Sequence, residues 1–592
     1  MNTVSSIIQL KRLALRNLAR HKVKTGLTCA AIMVRVTVYI WIDSWIGGMF
    51  VESRRNIINY EIGAAKLQTK LYFDKKDELP GYDPFSGWED YAAVLDGAGY
   101  NTAPRYAFSG TLYSSTGSAP LVVYACDPEA EARTLAYTDY VELGRYIKTG
   151  EFGIALGLMT ADKLRAGIPT RPEPAELEDL IAAVRSAPVE NAPAGVPDGF
   201  DSGDEVFIRS CYAPMEANVQ FGETQEYAQE RAKSRLVLKR DLSRPALDRL
   251  WELADRTGRN DVRISTVIDY KMAPDSIRRD TWDAELWPRL TGEERQLMGG
   301  IYEFDELTGA YLLAERDEAR LDAALAAMLR ADFSGAVRHV NQVIDAKVVG
   351  LVNSPDPFNN YNIGYMPLDV LQDEAGMMLE GRITELLIRD RSLGAADMTS
   401  PIESKAAIRA ALDAGLAKRG MSFPEELDVF FWMDYVSDYL GYEAMESGST
   451  MIFSVLLFFL AFIGISNTML LAILERTKET GMMRALGMTG GQIIFTYMVE
   501  AALLGLIGSA LGILAGCLLS IPMVKYGLDF SEMMEQMGGN MGYRIAGNFR
   551  GTWRPGTIIA SGVVAVFLSS LMALLPARRA TNMEITESLR FE

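Results

Sequence analysis

"ISNTMLLAILERTKETGMMRALGMTGGQ", residues 465–492, begins as apolar as a membrane span and ends crowded with charge and glycine. The apolar run opens at Met451, so residues 451–474 supply the roughly 20 apolar positions that a helix needs to cross a bilayer. Three further stretches meet the same requirement: Gly26–Phe50, Ile494–Val524 and Thr557–Leu575. Residues 475–492 are therefore a short hairpin between two spans. Glu475 and Lys478 stand at i, i+3, as on a helix leaving the membrane. Gly481 is expected to turn the backbone, "MMRALG" to form a short amphipathic piece headed by Arg484, and Gly487, Gly490 and Gly491 to turn the chain back. An apolar tip between charged shoulders suits a groove on another protein.

With 592 residues the chain exceeds what one hydrophobic core supports. All four spans lie near its ends, which leaves residues 51–449 as one large soluble segment between the first and second spans. Lys and Arg mark the cytoplasmic side. They gather in the leader (Lys11, Arg12, Arg16, Arg20, Lys22, Lys24), in the hairpin (Arg476, Lys478, Arg484) and in the tail (Arg578, Arg579, Arg590). Four spans put these three segments together, with both termini in the cytoplasm. The expected layout is residues 1–25 as a basic amphipathic helix under the inner leaflet, 26–50 as the first span, 51–449 outside, 451–474, 494–524 and 557–575 as the other spans, 525–556 as an outer loop and 576–592 as a cytoplasmic tail. The fold class is a membrane protein of four transmembrane helices with a large α+β extracytoplasmic domain inserted between the first two.

Within the outer segment, "PLVVYACDP" (120–128), "DEVFIRS" (204–210) and "DAKVVGLV" (345–352) read as strands, and "ARLDAALAAMLRADF" (319–333) as a helix. A Pro, Ala and Glu-rich insert covers about 170–200, with one helix opening near Pro172–Pro174 and stopping before Pro188; it reads as an appendage. "FFWMDYVSDYLGYEAMESGS" (430–449) contains no proline and leads into the second span, so it is expected to be the top of a long helical stalk.

Several chemistries are excluded or unsupported. The sequence has no G-x-x-x-x-G-K-[ST] loop, so it supplies no nucleotide-binding cassette of its own, and no G-x-S-x-G elbow. The two histidines, His21 and His339, and the unclustered cysteines offer no metal-ligand set, and no catalytic residues are assigned. The acidity of the outer segment, within a net charge of −18, argues against nucleic acid. Gly508, Gly512 and Gly516, with Gly505 nearby, form a flat strip for close helix packing, either inside this chain or against a second subunit. Arg35 is costly at mid-span; Tyr39 and Asp43 follow at i+4 and i+8, giving either a functional polar ladder or a local ion pair. Cys126 and Cys211 are both outside, where they are either bridged or two unrelated buried thiols.

Here a family resemblance becomes specific. "NTMLLAILERTKETGMMRALGMTGGQI" (467–493) resembles the hallmark of FtsX/MacB-like permeases of ABC transporters, close to N-T-x-x-x-x-[VI]-x-E-R-x-x-E-[IT]-G-x-x-[RK]-A-x-G. "ALRNLARHKVKTGLT" (14–28) and "LLPARRATNMEITESLR" (574–590) resemble the family's two ends, with Ile585 where proline is usual. "GIALGLMTADKLRAGI", "SGDEVFIRS" and "AKVVGLVNSPDPFNNYNIGYMPLDVLQ" (346–372) resemble parts of its outer domain, whereas about 212–344 has no counterpart. The resemblance covers about half of the chain. It implies an inner-membrane permease of a bacterium, not itself an enzyme, that pairs with a second permease chain, identical or different. It also implies two copies of an ABC ATPase, which would bind the ATP and Mg. Carried over by position, Glu475, Arg476, Glu479, Gly481, Arg484, Ala485 and Gly487 would form the ATPase-coupling element. Arg35 departs from the small or apolar residue usual there. "APRYAFSGTLY…VVYACDPEAE" (103–132) is similar to the outer domain of lipoprotein-releasing LolC/LolE-type permeases, which implies lipoprotein cargo, membrane lipids and a periplasmic chaperone as partners. The alternatives are tripartite efflux of amphiphiles or peptides, and a mechanotransmitting scaffold that activates an external hydrolase.

Overall fold

A computed structural model describes residues 22–76, 84–187, 202–215, 225–314, 317–331, 333–374, 381–394, 397–475, 477–529, 544–545 and 547–582. The basic leader with His21, the side chain of Glu475, all of Arg476 and the tail beyond residue 582 lie outside that description. Two compact units emerge, one from the chain ends (to Arg54 and from Val436) and one from Arg55–Tyr435.

The terminal unit is helical: α1 (Lys22–Asn56), α2 (Ser437–Glu475), α3 (Thr477–Ala485), α4 (Gly490–Tyr526), α5 (Pro555–Met572) and α6 (Leu574–Asn582). Among the described residues, three helical stretches are long and apolar enough to cross a membrane: Thr25–Ile62, Gly490–Tyr526 and Pro555–Arg579. The expected second span, 451–474, falls within α2. Its stalk differs from expectation. Phe430 and Phe431 end a strand, Leu427–Phe431, and a short helix, Trp432–Tyr435, precedes α2, because Phe430 is buried beside the strand at Ala65–Thr69.

In the unit Arg55–Tyr435, ten strands form one mixed sheet: β1 (Ala65–Thr69), β2 (Tyr100–Tyr113), β3 (Ser118–Cys126), β4 (Val141–Gly144), β5 (Gly153–Gly157), β6 (Asp261–Lys271), β7 (Val337–Val352), β8 (Ile363–Pro367), β9 (Glu385–Asp390) and β10 (Leu427–Phe431). Their order is β10-β1-β9-β2-β3-β8-β5-β7-β4, and β6 pairs with both β7 and β2. The ladders β2-β3-β8-β5-β7-β6 therefore close a ring of six strands, from which β6 and β7 continue as a two-stranded ribbon beyond Ser265 and before Lys347. Strand side chains alternate between faces. In β3, Val123 and Ala125 enter one hydrophobic cluster while Tyr124 and Cys126 enter another.

This alternation settles several expectations. Cys211 lies in the first cluster and Cys126 in the second, and both thiols are free and buried, so the possible bridge is absent. "DEVFIRS" is not a strand but part of a helix, Ser202–Cys211, whose Ile208 and Cys211 sit one turn apart and are buried, so packing overrides the β-propensity of the run. The helix of the 170–200 insert spans Pro174–Ser186, with proline in its first turn and a capping box between Glu173 and Glu176. It is not an appendage: Leu177, Leu180, Ile181 and Val184 belong to the main core. His339 lies in β7, not in a helix. Between β6 and β7 the chain builds a module with its own core, centred on Trp282, Leu286, Met298, Ile301 and Met328.

The second cluster surrounds a buried charge quartet. Arg105, 1% exposed, donates to Glu131 through Nε at 2.8 Å and through Nη2, and its Nη1 lies 3.6 Å from Glu385. Lys66 Nζ donates to Glu385 at 2.8 Å and Gln68 Nε2 does so at 3.0 Å. Tyr137 donates to Glu131 at 3.0 Å and its hydroxyl is 2.6 Å from that of Tyr146. Burial, then the charge of Glu131, pushes the Tyr137 phenol well above its usual range. Burial also drives the Cys126 thiol well up, so both stay protonated at neutral pH.

Candidate functional site

The hairpin is a helix followed by a turn. In α3, Thr477, Thr480 and Gly481 are buried, at the i, i+3, i+4 spacing of one helix face. Lys478, Glu479, Met482 and Ala485 are exposed. Glu479 in the first turn and Arg484 in the last complement the helix dipole. Gly481 therefore does not turn the backbone as expected. It lies inside α3, on the buried face with Thr477 and Thr480. The turn is made by Gly487, whose φ of 96° suits glycine, and Leu486 beside it is 88% exposed. Thr489 then caps α4 in a box with Gln492, so Gly490 and Gly491 open a helix instead of forming the turn.

A hydrogen bond anchors the hairpin: Thr480 Oγ1 lies 2.8 Å from the hydroxyl of Tyr497 on α4, and both residues are buried. Ile493, Tyr497 and Ala577 of α6 form the apolar floor. Tyr497→Phe removes this bond at a cost of about 1 kcal/mol. We expect hydrogen exchange of the 477–485 amides to quicken about fivefold while the rest of α4 is unchanged.

The structure brings the α4 glycines against α1 and α5. A Cβ at Gly508, Gly512 or Gly516 would come within 2.8, 2.7 and 3.0 Å of the Cβ atoms of Ile32, Val36 and Ile40. Those three residues recur every fourth position along α1, matching the glycine spacing. Gly505 instead faces Ser569 of α5, whose Oγ is 2.9 Å from the Cβ position. The strip is thus occupied inside this chain.

Arg35, Tyr39 and Asp43 do not form a local pair. Eight residues separate Arg35 from Asp43, about 12 Å along a helix. Asp43 instead accepts from Arg554 Nη2, just before α5. Around that pair the 550–554 segment presses on α1: a Cβ at Gly48 would come 2.4 Å from the carbonyl oxygen of Arg550, and Thr552 N–H donates to the Ser44 carbonyl at 3.1 Å. Above it, Arg54 donates through Nε to Glu443 of α2 at 3.0 Å and through Nη2 to its other oxygen, a bidentate brace between α1 and α2. Sequence reasoning missed Arg54, Glu443 and Arg554; the charge of each was visible, but not its partner hundreds of residues away.

With these helices placed, comparison with known proteins is decisive for the membrane segment: residues 451–585 match the family described as FtsX-like permease C-terminal. This segment is an FtsX-like permease domain. It is similar to the uncharacterized ABC transporter permease MJ1507 of Methanocaldococcus jannaschii, 32% identical over 131 residues, which are 22% of this chain and 29% of that protein. It is also similar to the macrolide export ATP-binding/permease protein MacB of Chlorobium luteolum, 31% identical over 133 residues, 22% of this chain and 16% of that protein. The ABC transporter permease YknZ of Bacillus subtilis is 31% identical over 132 residues, 22% of this chain and 28% of that protein. The chain thus spans less than a third of the length of each of these relatives. The permease domain contains α3, its turn and the glycine strip of α4, and its family and apolar helices make the protein membrane-embedded.

Proposed function

We propose that this chain is the permease subunit of an ABC transporter in a bacterial inner membrane, crossing it four times with both termini in the cytoplasm, and that it couples ATP hydrolysis by a separate ATPase to motion of its outer domain. The observation that carries this reading is the hairpin: an exposed apolar tip at Leu486, flanked by Glu479 and Arg484, on a foot fixed by Thr480 and Tyr497. Glu479, Arg484, Ala485 and Gly487 present the coupling surface, with Gly481 on the buried face of α3; Glu475 and Arg476 belong to the same element by sequence position. Two ATPase copies would dock on the hairpins of two permease chains and bind the ATP and Mg.

The chain's own residues supply the transmission. Displacement of α3 loads α4 through the Thr480–Tyr497 bond, and α4 bears on α1 along three glycines with no side chain between them. α1 and α2 then move together because Arg54 and Glu443 clamp them; Tyr439 adds a bond from its hydroxyl to the Phe50 carbonyl at 3.4 Å. The clamp is half-exposed and adds little stability, so its role is to fix geometry.

Lipoprotein extraction is the cargo reading that the outer-domain sequence favours, through residues 103–132. Export of small amphiphiles is the second reading, favoured by the MacB relatives, whose name specifies macrolide export. The coupling reading is tested with full-length chain and its ATPase in vesicles. Glu479→Ala with Arg484→Ala is expected to lower permease-stimulated ATP hydrolysis at least tenfold, and Arg54→Ala to leave hydrolysis in place while abolishing transport. Unchanged stimulation in the first variant would refute the docking role. Mass spectrometry of the co-purified ligand distinguishes a lipoprotein from a small amphiphile.

A further inference from the structure

A cavity of about 260 Å³ lies between α1, α2 and the start of α5, all within the terminal unit. Its walls are of two kinds. Ile46 and Phe50 of α1, Val455 of α2 and Val564 of α5 make it apolar, whereas Asp43 and Arg554 make one side ionic. Asp43 is 5% exposed and already serves Arg554, so it offers little to a ligand. Arg554 is different. Its side chain is 45% exposed, only Nη2 is engaged among the described residues, and two of its N–H groups at Nη1 remain for an incoming acceptor.

A second cation lies below. Arg35 precedes Tyr39, a lining residue, by one helical turn, and its Nη1 is buried with no hydrogen bond among the described residues. Among the described residues, the charged groups lining the cavity or one turn below it are therefore two guanidiniums and one carboxylate. In low-dielectric surroundings the excess positive charge calls for an anion. A cation would meet Arg554 first, and a purely apolar guest would leave the guanidinium unserved. Small polar anions would leave the apolar walls unfilled.

We propose that this cavity binds one anionic amphiphile, its phosphate or carboxylate on Arg554 and its hydrocarbon chain along Val455 and Val564. The inference rests on the reading of α1, α2 and α5 as membrane helices and goes beyond the coupling reading in naming a ligand class and its site. Two sources carry this chemistry, a phospholipid of the surrounding bilayer and a transported amphiphile.

The test places the full chain in nanodiscs of equal phosphatidylcholine and phosphatidylglycerol, extracts it with mild detergent, and counts retained lipid by native mass spectrometry. Wild type is expected to retain phosphatidylglycerol in preference to phosphatidylcholine and to exchange it for added dodecyl phosphate, but not for inorganic phosphate. Arg554→Gln is expected to lower retention about tenfold, the effect of losing one charge-assisted hydrogen bond. Val455→Trp, which fills the cavity and leaves the ion pair intact, is expected to do the same; Arg550→Gln, exposed on the same loop, is not. Retention that ignores headgroup charge, or that survives both Arg554→Gln and Val455→Trp, overturns the proposal. Repeating the count during ATP turnover separates the sources, since a resident lipid stays and a cargo leaves. ATPase stimulation measured on the hairpin variants reports on coupling alone, so failure here and failure of the coupling reading are distinguishable.

Discussion

Arg105→Ala is expected to destabilise the unit Arg55–Tyr435 by about 3–5 kcal/mol, the usual cost of removing one partner from a buried ion pair. Among the described residues, the substitution leaves Glu131, fully buried, with a charge that only the hydroxyl of Tyr137 still serves, and leaves Glu385 with Lys66 as its one cation. It also empties the space over the Tyr124 ring, where the guanidinium sits 4.5 Å from the centroid. For a unit of this size the loss corresponds to a fall of about 5 °C in the midpoint of thermal unfolding. Full-length protein in detergent, followed by tyrosine absorbance, measures it. Arg105→Met with Glu131→Gln removes both charges and is expected to recover most of the loss, because the penalty arises from the stranded carboxylate and not from a missing attraction. If the double variant is as unstable as the single one, the quartet is held by packing and not by charge.

Leu486→Asp is expected to abolish recruitment of the ATPase. An apolar side chain exposed to 88% at the tip of a fixed turn has the properties of an interface anchor. Losing such an anchor costs at least about 2 kcal/mol, or roughly 30-fold in affinity. A carboxylate buried in its place would cost more, through desolvation. Lys478→Ala, on the exposed face of α3 but away from the tip, is expected to change affinity by less than about threefold. Pull-down of the ATPase by the full chain reads both. Equal loss in the two variants would mean that the hairpin acts through its charge alone.

The parts of this architecture that were legible in the sequence are those in which one solvent acts on many consecutive residues. Long apolar runs marked three helices able to cross a membrane, and the abrupt return of charge after Leu474 marked the hairpin. The spacing of Gly508, Gly512 and Gly516 announced a helix contact, although only the structure shows that Ile32, Val36 and Ile40 fill it. Misreadings arose where local chemistry and tertiary contact disagree. Val206, Phe207 and Ile208 carry strand propensity, but the burial of Ile208 and Cys211 on one face holds them in a helix. Gly481 invites a turn by its backbone freedom, yet it continues α3 on the buried face. Asp43 and Arg554 are 511 residues apart, and Arg54 and Glu443 are 389 apart; no periodicity links such pairs.

The module between β6 and β7 has one more consequence. Lys271 and Val337 are paired across the ladder, so the chain enters and leaves the module through a doorway only about 5 Å wide. The described residues between Met272 and Ala336 hang from that doorway with their own interior, which makes the module a removable attachment. A tight turn can replace such a piece without moving any strand of the ring.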